Sequence, residues 1–353
     1  MTTEMIERIL SKENLEEAKC KVMSNKGSAG VDRMKTSELP KFIEAHGEEL
    51  CEAIRRRKYK PLPVRRVEIP KEDGSKRNLG VPAVKDRWIE QAVCQVLTPI
   101  FEKEFSENSY GFRPGRKAEQ AVIKALEFMN DGYDWIVDLD LSKFFDNVNQ
   151  DILMILVHKV IKDPDTESLV RRILQGGVLV EGTYEETKIG TAQGSPISPL
   201  LANIYLNEFD QEYQKRGVVF VRYADDIVLL AKSERAAKRL LETSTKYLEG
   251  PLKLKVNQEK SRVVSVFAIR TFKFLGFTLG KNGKGIYVRV HGKSWKKMKS
   301  KLKELSSRRS VQSIRPALAK IKVYMCGWLN YYGIAEMKNR IEELNQWLYH
   351  RIR

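Results

Sequence analysis

Two adjacent aspartates, Asp225 and Asp226, sit inside the apolar stretch Val218–Ala231, VVFVRYADDIVLLA. Apolar, β-branched-rich runs flank Tyr223-Ala224-Asp225-Asp226, which predicts a β-hairpin with the carboxylates at its turn. Two charges beside core-forming strands are costly: they repel, and each prefers its proton unless a cation lies between them. An oxygen-only, doubly acidic site suits Mg²⁺ rather than Zn²⁺, which takes His or Cys. A lone Asp-Asp is otherwise an ordinary solvated turn, so a third carboxylate on a matching strand decides. Trp135–Asp146, WIVDLDLSKFFD, supplies it. Strand alternation puts Ile136, Asp138 and Asp140 on one face and Val137, Leu139 and Leu141 on the other. One of these aspartates, joined to Asp225 and Asp226, would frame two metal ions about 4 Å apart, the spacing used in phosphoryl transfer. Periodicity alone does not choose between Asp138 and Asp140.

The two stretches resemble motifs A and C of reverse transcriptases, YADD being the second. Between them Gly190–Leu201, GTAQGSPISPLL, resembles motif B of the bacterial group II intron branch. Order and spacing hold over nearly the whole chain. The resemblance implies an RNA-directed DNA polymerase that adds dNTPs to a DNA or RNA primer on an RNA template. It implies an α+β right hand: fingers, a palm with an antiparallel sheet, and a helical thumb. Asp140 becomes the motif A ligand beside Asp225 and Asp226, with the Leu141 carbonyl as a further ligand, around two Mg²⁺ ions for which Mn²⁺ could substitute. Phe145, five residues past Asp140, is implied to lie under the incoming sugar and exclude a 2′-hydroxyl. Gln193 is implied to meet the nascent base pair with a donor and an acceptor. Lys260, in NQEKSR, is implied to protonate the leaving pyrophosphate. Where diversity-generating relatives have Gln, this chain has Pro199, which argues against that clade.

The elements that must position these groups are legible in outline. Residues 1–60 read as helical around a loop at Asn25–Gly30, its glycines taken as turn formers. NKGSAGVDRM there resembles the N-terminal extension of group II enzymes, implied to lid the template. Val64–Pro82 predicts a hairpin turning at residues 72–75, with Lys71 and Arg77 near its tip on opposite arms. By resemblance to the fingers, those two cations hold a triphosphate. Helices are expected over 86–105, 118–130, 149–177, Leu200–Phe209 and 233–248. SYGFRPGR, residues 109–116, reads as a loop whose Arg113 the resemblance lays against the template strand. FKFLGFTL, residues 272–279, resembles the primer grip, where Gly276 would let backbone meet backbone. Residues 294–353 predict three helices, with breaks near 308–310 and Gly333. The resulting units are an N-terminal extension (1–60), fingers and palm (61–283) and a thumb (284–353).

GWLNYYG in the last unit resembles the maturase X domain, so binding of group II intron RNA is expected. A second reading follows: an RNA-binding maturase that assists splicing, with polymerisation secondary. A retron-type or defence-associated enzyme is a third, against which the N-terminal extension and the thumb both count. Full-length relatives usually continue into a DNA-binding region and sometimes an HNH endonuclease, and neither is expected here.

Charge points to the same class of partner. The formal net charge is +17, and it is concentrated at two places. Residues 291–353 hold 15 Lys and Arg against 4 Asp and Glu, and residues 55–77 hold 10 against 3. Two basic blocks around an acidic centre suit a clamp on nucleic-acid phosphates. Cys20, Cys51, Cys94 and Cys326 are scattered with no CxxC spacing. That fits reduced thiols of a bacterial cytoplasmic protein and excludes a zinc ribbon or disulfide framework. No run of 18 apolar residues exists, so no membrane span is expected. The sequence fixes no oligomeric state.

Overall fold

A computed structural model of the chain describes residues 3–70, 74, 76–180, 182–267, 272–307 and 314–352. In chain order the elements are α1 (Glu4–Ile9), α2 (Lys12–Ser24), α3 (Leu39–Arg55), β1 (Val64–Pro70), β2 (Lys76–Val81), α4 (Val84–Phe101) and α5 (Ala118–Asn130). Next come β3 (Trp135–Leu139), α6 (Phe144–Asn147), α7 (Gln150–Ile161), α8 (Pro164–Leu174), β4 (Val178–Val180) and β5 (Thr183–Glu185). Then follow α9 (Ser198–Lys215), β6 (Val219–Tyr223), β7 (Asp226–Ala231), α10 (Glu234–Glu249) and β8 (Arg262–Ser265). The last are β9 (Phe277–Asn282), β10 (Gly285–Val290), α11 (Gly292–Leu305), α12 (Ile314–Tyr332) and α13 (Lys338–Ile352). Among the described residues no helix is long and apolar enough to cross a membrane.

The antiparallel sheet β6-β7-β3-β8 is buried on both faces. Val137, Leu139, Phe220, Ile227 and Leu229 point into one core with α4, α7, α9 and the N-terminal helices. Ile136, Val221, Val228, Leu230 and Val264 point into a second core with α5, the β9–β10 hairpin and the C-terminal helices. Hydrophobic residues therefore fill both alternations, while Asp138 sits within the ladder and Asp226 opens β7. The second core carries the thumb aromatics: Trp328 lies 4.6 Å from Tyr332, and Phe277 5.5 Å from Tyr331. They pack as core, as aromatics between basic helix positions most often do.

The second sheet runs β2-β1-β4-β5, in which β1 and β4 are parallel through Val64↔Val178. Strands β4 and β5 carry no sequence signal that we read. The expected helix over 149–177 is two helices. Lys162 takes φ +48, Asp163 caps the next helix by accepting from Thr166 N, and Pro164 opens it. Proline fits the first helical position, where its missing N–H is no loss. The loop at Asn25–Gly30 also differs from a plain turn. A Cβ on Gly30 would stand 2.5 Å from Ala83 Cα, and one on Gly27 2.5 Å from an Arg87 nitrogen. Arg65 and Arg87 donate to the carbonyls of Ala29 and Ser28. Close approach to the backbone just ahead of α4 is what requires Gly30, whereas Gly27 meets only the movable end of Arg87.

Candidate active site at the head of the palm sheet

The β6–β7 register pairs Tyr223 with Asp226 and leaves Ala224-Asp225 as a two-residue turn. Ala224 takes φ +56, uncommon for a residue with a side chain. Gly111 lies against its amide so closely that a Cβ there would collide. Strand β3 pairs with β7 through Leu139↔Ile227, which carries Asp140 beside Asp226 just past the end of the ladder. Asp140 is fixed there by its own backbone: its N–H donates to Ser261 Oγ (3.0 Å), and its carbonyl accepts from Asn257 N–H (2.8 Å). Asp138, one pair earlier, lies with its Oδ2 3.7 Å from Arg262 Nε.

The carboxylates feel one another. Burial, then Asp225, Asp138 and Asp140, pushes Asp226 up to about 7. Burial also raises Asp225, with Asp140 adding and Arg77 opposing. Asp138 is pushed up to about 6, first by burial, with Arg262 opposing and Asp140 adding. Crowded acids of this kind suit a hard divalent cation, whose charge would relieve the repulsion. Among the described residues no three His, Cys, Asp or Glu groups converge enough to enclose an ion by themselves. The donor set still fits Mg²⁺, which is commonly held by one or two carboxylates and completes its octahedron with water and substrate oxygens.

Beside Asp140 opens a cleft of about 710 Å³, lined among others by Arg66, Gly80, Leu141, Gln193 and Lys260. Lys260 Nζ stands 4.0 Å from Asp140 Oδ2. The Gln193 carbonyl accepts from Gly80 N–H at 2.7 Å, and Gly194, at φ +124, lies against the Gly80 carbonyl without room for a Cβ. These contacts fasten the β1–β2 hairpin to the GTAQGSP loop. Beneath the loop Ser195 Oγ donates to Glu90 Oε2 at 2.5 Å, and burial pushes Glu90 up to about 8. Phe145 is half-buried on α6, its ring centroid 5.3 Å from that of Phe144. It packs on the core.

Arg77 lies exposed on β2, close enough to act on Asp225. Lys71 lies outside the described residues. Two expectations are corrected. Arg113 is no template contact: its side chain is only 2% exposed, paired with Glu102 and donating to the carbonyls of Ser106 and Ser109. Its arginine fork is consumed in fixing the loop beneath the acidic turn. Gly276 does bring chains close, but to a side chain. With Leu275 it forms a two-residue turn at φ +51 and +83, and a Cβ on it would meet the Tyr332 hydroxyl at 2.6 Å. Positive φ at both central positions is the turn that suits a twisted hairpin. The sequence reading passed over Arg222, Asp210 and Asn203, which are buried together behind the turn. An arginine within an otherwise apolar strand was the available signal, since such a charge needs a partner.

Comparison with known proteins agrees with this geometry. Residues 69–279 match the family model for "Reverse transcriptase (RNA-dependent DNA polymerase)", and residues 295–353 that for "Group II intron, maturase-specific domain". Protein YkfC of Escherichia coli (strain K12) is 32% identical over 78% of this chain and 82% of its own length. Group II intron-encoded protein LtrA of Lactococcus lactis subsp. cremoris is 26% identical over 86% of this chain, which spans 59% of LtrA. Among solved structures, a partial Cas6-RT-Cas1--Cas2 complex aligns with 70% of this chain and 43% of that one. The identity there is 21% and the TM-score 0.44. The chain belongs to the reverse transcriptase family, RNA-dependent DNA polymerases that use divalent metal ions, and carries a group II intron maturase-specific domain behind its palm.

Proposed function

We propose that the chain extends a DNA or RNA primer with dNTPs on an RNA template, at a centre formed by Asp140, Asp225 and Asp226 with the Leu141 carbonyl. The observation that carries this is the β3–β7 register, which brings Asp140 beside Asp226 at the mouth of a cleft also lined by Lys260. Two Mg²⁺ ions held there would supply the charge that neutralises the triphosphate and makes the primer hydroxyl a better nucleophile. The protein's own share is positioning and electrostatics. Asp225 and Asp226 are held by a strained turn, and Asp140 by backbone bonds on both of its sides. Arg77, and Lys71 by its place on the same hairpin, grip the triphosphate. Gln193 faces the nascent pair, Phe145 lies under the incoming sugar to exclude a 2′-hydroxyl, and Lys260 gives a proton to the leaving pyrophosphate. Its units are an extension (1–60), fingers and palm (61–283) and a thumb (284–353), working in the bacterial cytoplasm.

Primer extension on RNA with dNTPs and Mg²⁺ tests this, with Asp225→Ala/Asp226→Ala alongside. Wild-type extension that the variant lacks supports the centre, and equal extension by both refutes it. A second role is favoured by the maturase-specific match over 295–353 and by that region's 14 basic residues against 4 acidic. It is binding of group II intron RNA to assist splicing, which the same double variant should retain.

A further inference from the structure

We infer that Arg222 is a positioning residue: from inside the core it ties the Ala224-Asp225 turn to helix α9, so that the acidic groups stand where that helix puts them. The inference rests on the polymerase reading above.

Arg222 and Asp210 are both fully buried at 0% exposure. A buried ion pair is a poor way to gain stability, because desolvation consumes most of the attraction. What this pair provides is geometry. Arg222 Nε lies 2.9 Å from both Asp210 oxygens, and Nη2 lies 2.5 Å from Oδ2. Nη1 is left to divide between Asn203 Oδ1 and the Ala224 carbonyl, each at 2.9 Å. One planar fork thus joins two residues of α9 to the turn, which a lysine's single ammonium cannot reproduce.

The turn is held from its other side as well. Asn203 Nδ2 donates to the Gly111 carbonyl at 2.8 Å, and Gly111 is the residue pressed on the Ala224 amide. Tyr110 N–H donates to the Arg222 carbonyl, and Arg222 N–H to the Asn108 carbonyl, each at 2.9 Å. A left-handed alanine persists only where its surroundings over-determine it, and these contacts do so. Helix α9 begins at Ser198, directly after the loop bonded to Gly80 on the fingers hairpin. Contacts therefore run unbroken from that hairpin, through the loop and the helix, to the turn that bears Asp225.

Two variants test this in the full chain. Arg222→Lys keeps a cation for Asp210 but cannot also serve Ala224. Asn203→Ser loosens the same junction without touching the ion pair. Three readouts are compared: thermal melting, single-nucleotide kcat and KM, and Mn²⁺ binding followed by electron paramagnetic resonance, with Asp225→Ala/Asp226→Ala as the blank. Folded variants should lose on the order of 10- to 100-fold in kcat, the scale of a small misplacement, while KM for the dNTP stays near wild type. Mn²⁺ binding should weaken several-fold without any substrate present. Folded variants that match wild type in kcat and Mn²⁺ binding overturn the inference. So does a rate loss that only tracks the unfolded fraction. A wild type that extends nothing refutes the polymerase reading instead, and the Mn²⁺ comparison then still decides whether Arg222 positions the turn.

Discussion

Two hairpins flank Asp140, β1–β2 lining the cleft and β6–β7 standing beside it, and they are built in opposite ways. The β6–β7 hairpin has buried arms, a strained turn and a guanidinium locked behind it. The β1–β2 hairpin has exposed arms toward its tip, and its Lys76 meets Glu68 in solvent. The difference follows from what each must do. Carboxylates that answer charge developing in a transition state are most effective when already in place, so that nothing reorganises during the reaction. Cations that capture and release a phosphate chain gain from rotamer freedom, and pay for it in ordering entropy on binding. The exposed hairpin is fastened at Gly80 to the Gln193-Gly194 backbone of the loop that leads into α9, and α9 is the helix that Arg222 ties to the acidic turn.

Removing the fixed charges should have the largest effect. Asp225→Ala/Asp226→Ala should lower single-nucleotide extension by at least about 10³-fold, several kcal/mol of transition-state stabilisation, while RNA binding in gel shifts persists. Next is the brace beneath the fixed hairpin. Arg113→Ala strands Glu102 and opens the loop under the turn, so urea melts should show a loss of roughly 3–5 kcal/mol. Because Arg113 is buried, the salt dependence of RNA binding should stay unchanged; a shallower slope would restore it as a phosphate contact. On the exposed hairpin, Arg77→Ala should raise KM for dNTP roughly tenfold and leave kcat largely intact, as expected for a charged contact worth about 1.4 kcal/mol. A fall in kcat with KM unchanged would erase the contrast between the hairpins.

The smallest effect concerns the floor of the junction. Glu90 titrates near about 4.3 in an unfolded chain and is pushed up to about 8 by burial in the fold. The folded protein keeps a proton that the unfolded chain releases between those values. The associated stability is therefore whole below about 4.3 and lost as pH rises toward 8. Denaturation across that window should show stability declining. Glu90→Gln, which still accepts from Ser195, should flatten part of that slope. Asp226, pushed up to about 7, should account for another part.

Much of this molecule was legible beforehand because its signals are local. Alternation announced β3, apolar β-branched-rich runs on either side of Tyr223–Asp226 announced the β6–β7 hairpin, and the turn at residues 72–75 announced β1–β2. The long helix expected over 149–177 failed at Asp163-Pro164, a capping signal that the apolar run obscured. The short strand β4 exists through pairing with β1, a segment more than 100 residues earlier, and β5 through pairing with β4; a three-residue strand has too few positions to show a period. Arg113 was expected against the template because the resemblance places its loop there. Only the fold shows it capped by Glu102 and two carbonyls.

By itself the sequence determined the kinds of charge and their order along the chain: two acidic clusters on strands, between a basic hairpin and a basic helical end. It could not separate Asp138 from Asp140, since both share one strand face. Tertiary structure separated them. Register with β7 and the bond from Asn257 carry Asp140 past the ladder to the cleft, while Asp138 stays in the ladder near Arg262. The same holds for Arg222, whose partners lie on a preceding helix and at the turn beyond it. Periodicity reports which way a side chain points, and only the packing of distant segments decides what it meets.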